Sequence, residues 1–204
     1  MIIYNELQQK TPEWYALRRL KLTASNSYKI IAGGNILFNY CQELVNEFIY
    51  GAKETVINEY MLNGVRLEPV ARELAETLYN CKYEQVGAVV QNDRVLVSPD
   101  GCIFDDNGNI IELIEIKCPS DKTFEKVLTG YIDKKYMAQM QMQMLVCECN
   151  KCRYFVYNEN IEPFYYSVMV EADADMQAKL NENIAEGASI IDSLLLDYFE
   201  RIGA

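Results

Sequence analysis

The segment 95–117 constrains the fold more than any other part of this 204-residue chain. Two apolar runs flank a polar turn at 105–109, and the Asn-Gly pair in that turn is a strong β-hairpin signal because both residues tolerate positive φ. If this pair forms the tip, counting back along both strands places Asp100 opposite Glu115. Side chains alternate along a strand, so Glu115 and Lys117 share a face. The sequence therefore predicts one hairpin that presents Asp100, Glu115 and Lys117 together.

Charged side chains within apolar strands need partners. Two carboxylates and an ammonium group among Ile and Val are costly unless they pair with each other or bind a metal. A hard divalent cation relieves the repulsion between two close carboxylates by taking their oxygens as ligands. The alternative is a surface strand with an ordinary Glu-Lys pair, which an isolated Glu-x-Lys sequence would favour. The Asp100-Gly101 pair on the partner strand and the Cys118-Pro119 stop favour the metal site.

The composition excludes several kinds of active site. The chain contains no histidine, which rules out a Ser-His-Asp triad and histidine general-base chemistry. A net charge of −11 is not the usual electrostatic footprint of a nucleic-acid-binding protein, so DNA binding would require local basic surfaces. No apolar run approaches the roughly 20 residues of a membrane span, and no signal-peptide pattern is present. We expect a single cytoplasmic domain over residues 1–204, with no membrane segment.

The cysteines leave one alternative open. The chain has seven of them, an odd number that favours reduced thiols, and Cys147, Cys149 and Cys152 form a cluster. Some nucleases carry cysteine-bound iron–sulfur clusters, but three cysteines fall one ligand short of a four-coordinate site. We expect buried or turn thiols without a cluster, with Asn150-Lys151 as a hairpin tip between them.

The remaining elements follow from apolar periodicity and turn signals. Thr11-Pro12 is a good helix start, and Glu68 falls within a helix just before Pro69. Most helical glutamates are solvated, but one at such a break can point inward. Further helices are predicted over residues 39–47, 58–79, 133–145 and 173–202. Strands are predicted over residues 83–90, 95–103, 110–117, 146–147, 153–157 and 164–170. This order predicts an α/β sandwich with a mixed sheet.

Five segments in order resemble the phage lambda exonuclease family, also called the YqaJ-like viral recombinases, of the PD-(D/E)xK nuclease superfamily. They are Trp14-Tyr-Ala-Leu-Arg18 with Leu22-Thr-Ala-Ser25, Gly64-x-x-x-Glu68-x-x-Ala71, Ser98-Pro-Asp-Gly101, Glu115-Ile-Lys-Cys-Pro119 and Tyr136-Met-Ala-Gln139-Met-Gln141. The resemblance spans roughly residues 11–157. It implies an α/β (α+β) fold with a restriction-endonuclease-like core, in which helices flank a central mixed β-sheet.

The resemblance also implies an activity. It is that of a Mg²⁺-dependent exonuclease, with Mn²⁺ as a substitute, which degrades one strand of linear double-stranded DNA from 5′-phosphorylated ends. Asp100 and Glu115 match the metal-binding carboxylates, with the Ile116 carbonyl as a further ligand and Glu68 completing the acidic site. Lys117 matches the lysine that orients or activates the attacking water. The residues that match recognition of the 5′-phosphate or line the site are Arg18, Ser25, Ser98, Gln139 and Gln141.

The partners implied are double-stranded DNA ends, a single-strand annealing protein for phage-type recombination, and further copies of the chain in a homotrimeric ring. Two alternatives stay open at this stage. One is a Cas4-like iron–sulfur nuclease, which needs a fourth cysteine ligand. The other is a catalytically idle module that binds DNA ends or a partner, although such relatives usually lose one of the three residues Asp100, Glu115 and Lys117.

Overall fold

Two four-stranded sheets and the helices around them make up the computed structural model, which describes residues 1–51 and 59–203 without the side chain of Tyr60. The strands are β1 Ile2–Tyr4, β2 Leu22–Thr23, β3 Ala88–Asn92, β4 Val95–Val97, β5 Gly101–Phe104, β6 Ile110–Lys117, β7 Lys151–Tyr157 and β8 Tyr165–Glu171. The helices are α1 Pro12–Arg18, α2 Ser27–Ala32, α3 Gly34–Tyr50, α4 Glu59–Tyr79, α5 Asp121–Val127, α6 Lys134–Val146 and α7 Ala174–Ile202. A 3₁₀ turn over Ala24–Asn26 precedes α2.

Both sheets are mixed. The first has the strand order β1-β3-β4-β2, with β2 parallel to β4, and the second has the order β5-β6-β7-β8, with β6 parallel to β7. The other neighbouring strands are antiparallel. The predicted α/β class with mixed sheet and flanking helices is confirmed, but the strands are divided between two sheets.

The division falls inside the predicted strand 95–103, which is wrong as one element. β4 ends at Val97 in the first sheet, and β5 begins at Gly101 in the second. Pro99 lies between them, and proline cannot donate a ladder hydrogen bond. The predicted hairpin register is confirmed beyond this break, because Gly101 pairs with Ile114 and a bulge occurs only near Phe104.

Helices cover both faces of the second sheet. Ala71 and Ala75 of α4 pack against Ile114 and Ile116 in one apolar cluster. The methionines of α6 belong to the main core together with Leu113, which points to the opposite face of β6. Glu115 and Lys117 alternate with Ile114 and Ile116, so they lie on the side covered by α6.

Several predicted boundaries differ from the structure. The strand predicted at 146–147 is wrong, because α6 continues to Val146 and Cys147 is its C-cap. The predicted hairpin tip at 150–151 is therefore also wrong, and β7 begins directly at Lys151. α3 begins at Gly34 rather than at 39, and β1 was not predicted. The predicted start of α4 at 58 lies outside the described residues.

Some predicted helix ends are confirmed by their caps. The Thr11 side chain accepts a hydrogen bond from the backbone N–H of Trp14 at the start of α1. The side chains of Asp133 and Asp173 cap α6 and α7 in the same way. Within the described ranges, no helix combines the length and apolar character needed to cross a membrane.

Gly87 marks a close approach between the segment before β3 and the N-terminal segment. A Cβ at Gly87 would lie 2.0 Å from the backbone oxygen of Leu7. We expect Gly87→Ala to lower the free energy of unfolding by about 3 kcal/mol, at the upper end of overpacking costs, because backbone must move. Urea unfolding followed by circular dichroism measures the change.

Gly64 in α4 is the matched control, because a Cβ there would meet nothing within 4 Å. Alanine in an exposed helix interior is favoured over glycine by about 1 kcal/mol. Gly64→Ala should therefore leave stability unchanged or raise it. Equal stability of Gly87→Ala and the wild type would contradict the close approach.

Candidate active site

The C-terminal half of β6 places two charged side chains on the face of the second sheet that α6 covers. Glu115 is fully buried, and the Lys117 ammonium donates to its Oε1. Asp100 lies one residue before β5, directly across the hairpin, and its Oδ2 accepts a hydrogen bond of 2.7 Å from the backbone N–H of Ile116. The structure therefore brings Asp100, Glu115 and Lys117 together, as the hairpin register predicts.

The electrostatics of these groups are coupled. Burial, together with the nearby Glu115 carboxylate, raises the pKa of Asp100 to about 8, although Lys117 acts in the opposite direction. Burial by itself would lower the pKa of Lys117, but the charges of Glu115 and Asp100 outweigh it and raise that pKa. The site thus combines a lysine that stays cationic with carboxylates that repel each other.

Glu68 approaches the same site from α4. Its charge contributes to the raised pKa of Asp100, which places the two carboxylates near each other. Arg72, one turn later in α4, donates to Glu68 Oε1 at 2.9 Å, and the Lys10 ammonium lies 3.6 Å from Oε2. Pro69 does not end the helix. Glu68 is therefore an inward-facing, paired carboxylate rather than a solvated one.

α6 contributes three side chains at helical spacing. The ring of Tyr136 lies 5.0 Å from the Lys117 ammonium, within cation–π range. Gln143, two turns later, donates from Nε2 to Glu115 Oε2 at 2.7 Å. Gln139 lies between these two in the sequence and, by helical spacing, on the same side of α6.

A cleft of about 510 Å³ opens beside α1 and α3. Arg18 lines it and stacks over the Trp14 ring, with 4.2 Å between the guanidinium carbon and the ring centroid. Burial lowers the pKa of Arg18, yet no carboxylate of the described chain lies within ion-pair distance of it. Four other arginines do pair with carboxylates: Arg66, Arg72, Arg94 and Arg153. Arg18 is thus a half-buried cation available to an anionic ligand.

Ser98 contacts the Trp14 ring on which Arg18 stacks. The indole Nε1 of Trp14 donates to Ser98 Oγ at 3.2 Å and to the Gly87 carbonyl at 2.9 Å. The Ser98 hydroxyl itself donates to the same carbonyl at 2.9 Å. Ser98 therefore links the β4–β5 switch, which carries Asp100, to the aromatic surface under Arg18.

Ser25 lies on the 3₁₀ turn beside the cleft. Its Oγ is 3.3 Å from Thr23 Oγ1, which in turn is 3.3 Å from the Tyr40 hydroxyl. Thr23 and Tyr40 line the cleft together with Arg18. Ser25 therefore lies next to a residue that lines the cleft with Arg18, and its predicted role in binding a phosphate stays a prediction.

Gln141 points away from this site. Its Nε2 donates to the Glu171 carbonyl at 2.9 Å, and its Oε1 accepts from the Asp173 backbone N–H at 2.9 Å. Both ends of the amide hold the connection between β8 and α7. The DNA-binding role predicted for Gln141 stays a prediction, and this geometry favours a structural one.

The donor set fits a hard divalent cation. Asp100, Glu115 and Glu68 offer carboxylate oxygens, which Mg²⁺ and Mn²⁺ prefer, and burial together with the nearby carboxylates, which a cation would neutralise, raises the pKa of Asp100. In residues 1–51 and 59–203 no three Cys, Asp or Glu side chains converge as a ready-made metal group. Here Lys117 and Gln143 engage Glu115, and Arg72 and Lys10 engage Glu68.

The cysteine cluster gains Cys102 as a neighbour. Cys102, Cys147, Cys149 and Cys152 are all buried, and Cys102 and Cys152 both lie beside Leu113 across the second sheet. Burial raises the pKa of each thiol. Thiols kept neutral by burial behave as small apolar core groups, so their placement is accounted for by packing.

Several site residues escaped the sequence reasoning. The sequence does not predict the contact of Gln143 with Glu115 or that of Tyr136 with Lys117. The pairing of Glu68 with Arg72 could have been found, because acidic and basic residues four apart in a helix face each other. The contact of Lys10 with Glu68 could not have been predicted, because Lys10 lies in a segment without a periodic pattern.

Comparison with known proteins agrees with the fold. A model of the YqaJ-like viral recombinase domain matches residues 13–150. An alkaline exonuclease (LHK-Exo) from Laribacter hongkongensis is 28% identical with a TM-score of 0.82, over 95% of this chain and 98% of that one. Its complex with dAMP gives 27% identity and a TM-score of 0.84 over the same shares.

A second solved structure agrees in fold alone. It is a phage related exonuclease from Haemophilus somnus 129PT, 18% identical with a TM-score of 0.69, over 90% of this chain and 98% of that one. A search of curated proteins gives no match.

We expect the hydrogen bonds of the Trp14 indole to stabilise the fold. Trp14→Phe removes the N–H that donates to Ser98 and Gly87. We expect a loss of about 1–2 kcal/mol in the free energy of unfolding, since a buried hydrogen bond and part of the ring contact are lost. Urea denaturation measures it. Tyr15→Phe is the control, because that neighbouring ring is 58% exposed and should change stability by less than about 0.5 kcal/mol. Equal effects of the two substitutions would refute the supporting role of the indole.

Proposed function

The chain belongs to the YqaJ-like viral recombinase family, and from that premise we propose that it is a Mg²⁺-dependent exonuclease which degrades one strand of linear double-stranded DNA from 5′-phosphorylated ends. The family and the alkaline exonuclease that shares the fold at 28% identity support the enzyme class. The observation that carries the proposal is the hairpin end at which Asp100, Glu115 and Lys117 meet, with Glu68 beside them.

The metal would be held by Asp100, Glu115 and Glu68, with the Ile116 carbonyl as a further ligand. When bound, a divalent cation lowers the pKa of a water molecule and neutralises charge on the phosphate. Mn²⁺ offers the same preference for oxygen ligands and should substitute for Mg²⁺. The protein supplies carboxylates that are fixed by hydrogen bonds before any ligand arrives.

Lys117 would act as a fixed cation beside the scissile phosphate. Its ammonium is held between the Glu115 carboxylate and the Tyr136 ring, so it is oriented without substrate. A positioned cation stabilises the negative charge that develops during phosphodiester cleavage and helps to orient the attacking water.

The Arg18 cleft would bind the terminal 5′-phosphate. A guanidinium group without a carboxylate partner is suited to the bidentate recognition of phosphate. Ser25 would offer a hydroxyl beside the cleft and Gln139 an amide from α6, while Ser98 accepts a hydrogen bond from the Trp14 ring under Arg18. The complex of LHK-Exo with dAMP supports nucleoside 5′-monophosphates as products.

We base the proposed domain extent, cellular location, protein partner and oligomeric state on the family resemblance. Residues 1–204 would form one nuclease domain that acts on DNA ends in the cytoplasm of a bacterial or virus-infected cell. The single strands produced would pass to a single-strand annealing protein for recombination. Assembly into a homotrimeric ring around DNA would hold the substrate by enclosure, which suits a chain with a net charge of −11.

Nucleotide release from linear DNA tests the proposal. With Mg²⁺, we expect a linear 5′-phosphorylated duplex to yield mononucleotides, while a covalently closed circle of the same sequence stays intact because it has no end. Chromatography of the acid-soluble products measures both. Lys117→Ala is the control for contaminating nucleases, and it should lose cleavage by at least about 100-fold, the scale of one lost stabilising group.

Three results would change the conclusion. Cutting of the circle would indicate an endonuclease and remove the roles in end recognition. Digestion of the linear duplex from its 3′ ends would contradict the proposed polarity. No cleavage of either substrate would favour a binding module for DNA ends.

Arg18 generates a separate prediction about end recognition. Arg18→Ala should erase most of the preference for 5′-phosphorylated over 5′-hydroxyl ends, a loss of about 10–100-fold if one charge-assisted contact is worth about 1.5–3 kcal/mol. Initial rates on the two duplexes measure the ratio. Arg94→Ala is the control, because Arg94 pairs with Asp192 and does not line the cleft. An unchanged preference in Arg18→Ala would remove Arg18 from the phosphate site.

A further inference from the structure

Gln143 lies inside α6, and none of the proposed catalytic roles includes it. Its side chain is fully buried, and its Nε2 donates to Glu115 Oε2 at 2.7 Å. The Oε1 of the same amide is buried without a hydrogen-bond partner in the described part of the chain. Burying a polar atom without a partner costs stability. Burial of this oxygen is therefore unfavourable, whereas the NH₂ group of the same amide makes a favourable hydrogen bond to Glu115.

The chemistry of the pair fixes which way the amide points. An ionised carboxylate only accepts hydrogen bonds, so the NH₂ group of Gln143 must face Glu115. Turning the amide over would bring its oxygen against the carboxylate and lose the contact. The Oε1 atom therefore lacks a partner because the amide is oriented to donate to Glu115.

Glu115 is held at both of its oxygens. Lys117, from the same strand, engages Oε1, and Gln143, from the helix above, engages Oε2. Carboxylates that bind metals are commonly fixed by hydrogen bonds from surrounding groups, and loss of such a group typically weakens metal binding by 10–100-fold. A buried amide donor is suited to this because it orients the carboxylate without adding charge.

We infer that Gln143 is a positioning residue, which holds the Glu115 carboxylate in the orientation that binds a divalent cation. The inference rests on the metal site of the proposed function and adds a residue outside the five family-like segments. Gln143 acts through Glu115 and does not itself contact substrate.

Gln141 is a matched control for Gln143. The two glutamines lie in the same helix, and both are buried, with 1% and 0% exposure respectively. Both ends of the Gln141 amide are hydrogen-bonded to the backbone at Glu171 and Asp173, far from β6 in the chain. A structural role therefore predicts lost stability for Gln141, and a positioning role predicts lost metal affinity for Gln143.

Binding of Mn²⁺ alone to the full chain tests the inference. The protein is stripped of metal with a chelator, and free Mn²⁺ is measured by electron paramagnetic resonance without DNA. We expect Gln143→Met to bind Mn²⁺ at least about tenfold more weakly, with a melting temperature close to that of the wild type. Gln141→Met should keep the wild-type affinity and melt several degrees lower.

A kinetic measurement supplies the second readout. The Mg²⁺ concentration for half-maximal nucleotide release should rise by the same factor in Gln143→Met, while saturating Mg²⁺ restores most of the maximal rate. If Gln143→Met does not fold, Gln143→Asn replaces it. That variant keeps the amide but is one methylene too short to reach Glu115, and we expect the same loss.

The outcomes separate the inference from the proposed function. Wild-type affinity in Gln143→Met, or an equal loss in Gln141→Met, would overturn the positioning role while leaving the metal site intact. A wild-type protein that binds no Mn²⁺ would overturn the metal site itself, and the positioning role with it.

Discussion

The buried carboxylate of Glu115 is the constraint around which this structure is arranged. Its side chain has no exposure to solvent, and an ionised group in that position is tolerated only when both oxygens are engaged. Lys117 and Gln143 meet that requirement from two different elements, β6 and α6. The hydrogen bond from Gln143 to Glu115 therefore helps to hold α6 against the second sheet, in addition to apolar packing.

The break at Ser98–Pro99–Asp100 connects that carboxylate to the rest of the site. The chain leaves the first sheet after Val97 and enters the second at Gly101. Ser98 stays with the first sheet, where it contacts Trp14 below Arg18, whereas Asp100 reaches the backbone of β6. Three residues thus connect the Arg18 cleft to Asp100, so the proposed phosphate site and the proposed metal site are linked by one short segment.

The sequence predicted the parts of this site that follow from local rules. Strand alternation and the Asn-Gly turn predicted the register that sets Asp100 across from Glu115, and this register holds beyond the bulge between Ile103 and Phe104. The capped starts of α1, α6 and α7 likewise follow from short-range signals. The contacts of Gln143 and Lys10 do not, because they join elements far apart in the chain.

The predictions that proved wrong have the same origin. Nothing in the apolar pattern of 95–103 distinguishes one long strand from two strands in different sheets, and only Pro99 indicates the change. Val146 and Cys147 are apolar enough for either a strand or a helix end, and a short apolar run cannot be assigned by periodicity alone. In this structure α6 continues through Val146, one residue beyond its predicted end, and Cys147 becomes its C-cap.

The chain as a whole is acidic, but the pairing of its positive side chains differs from one place to another. With 30 acidic and 19 basic residues in the chain, several partly buried cations have a carboxylate within reach, as Arg72, Arg94 and Arg153 do. Arg18 instead has an aromatic ring as its neighbour, which supports the guanidinium group without neutralising it. In a chain this acidic, long-range attraction for DNA is expected to be weak, so the proposed recognition of a terminal phosphate would depend on short-range contacts in a partly desolvated cleft. There Coulomb interactions are stronger and less screened by salt than at an open surface.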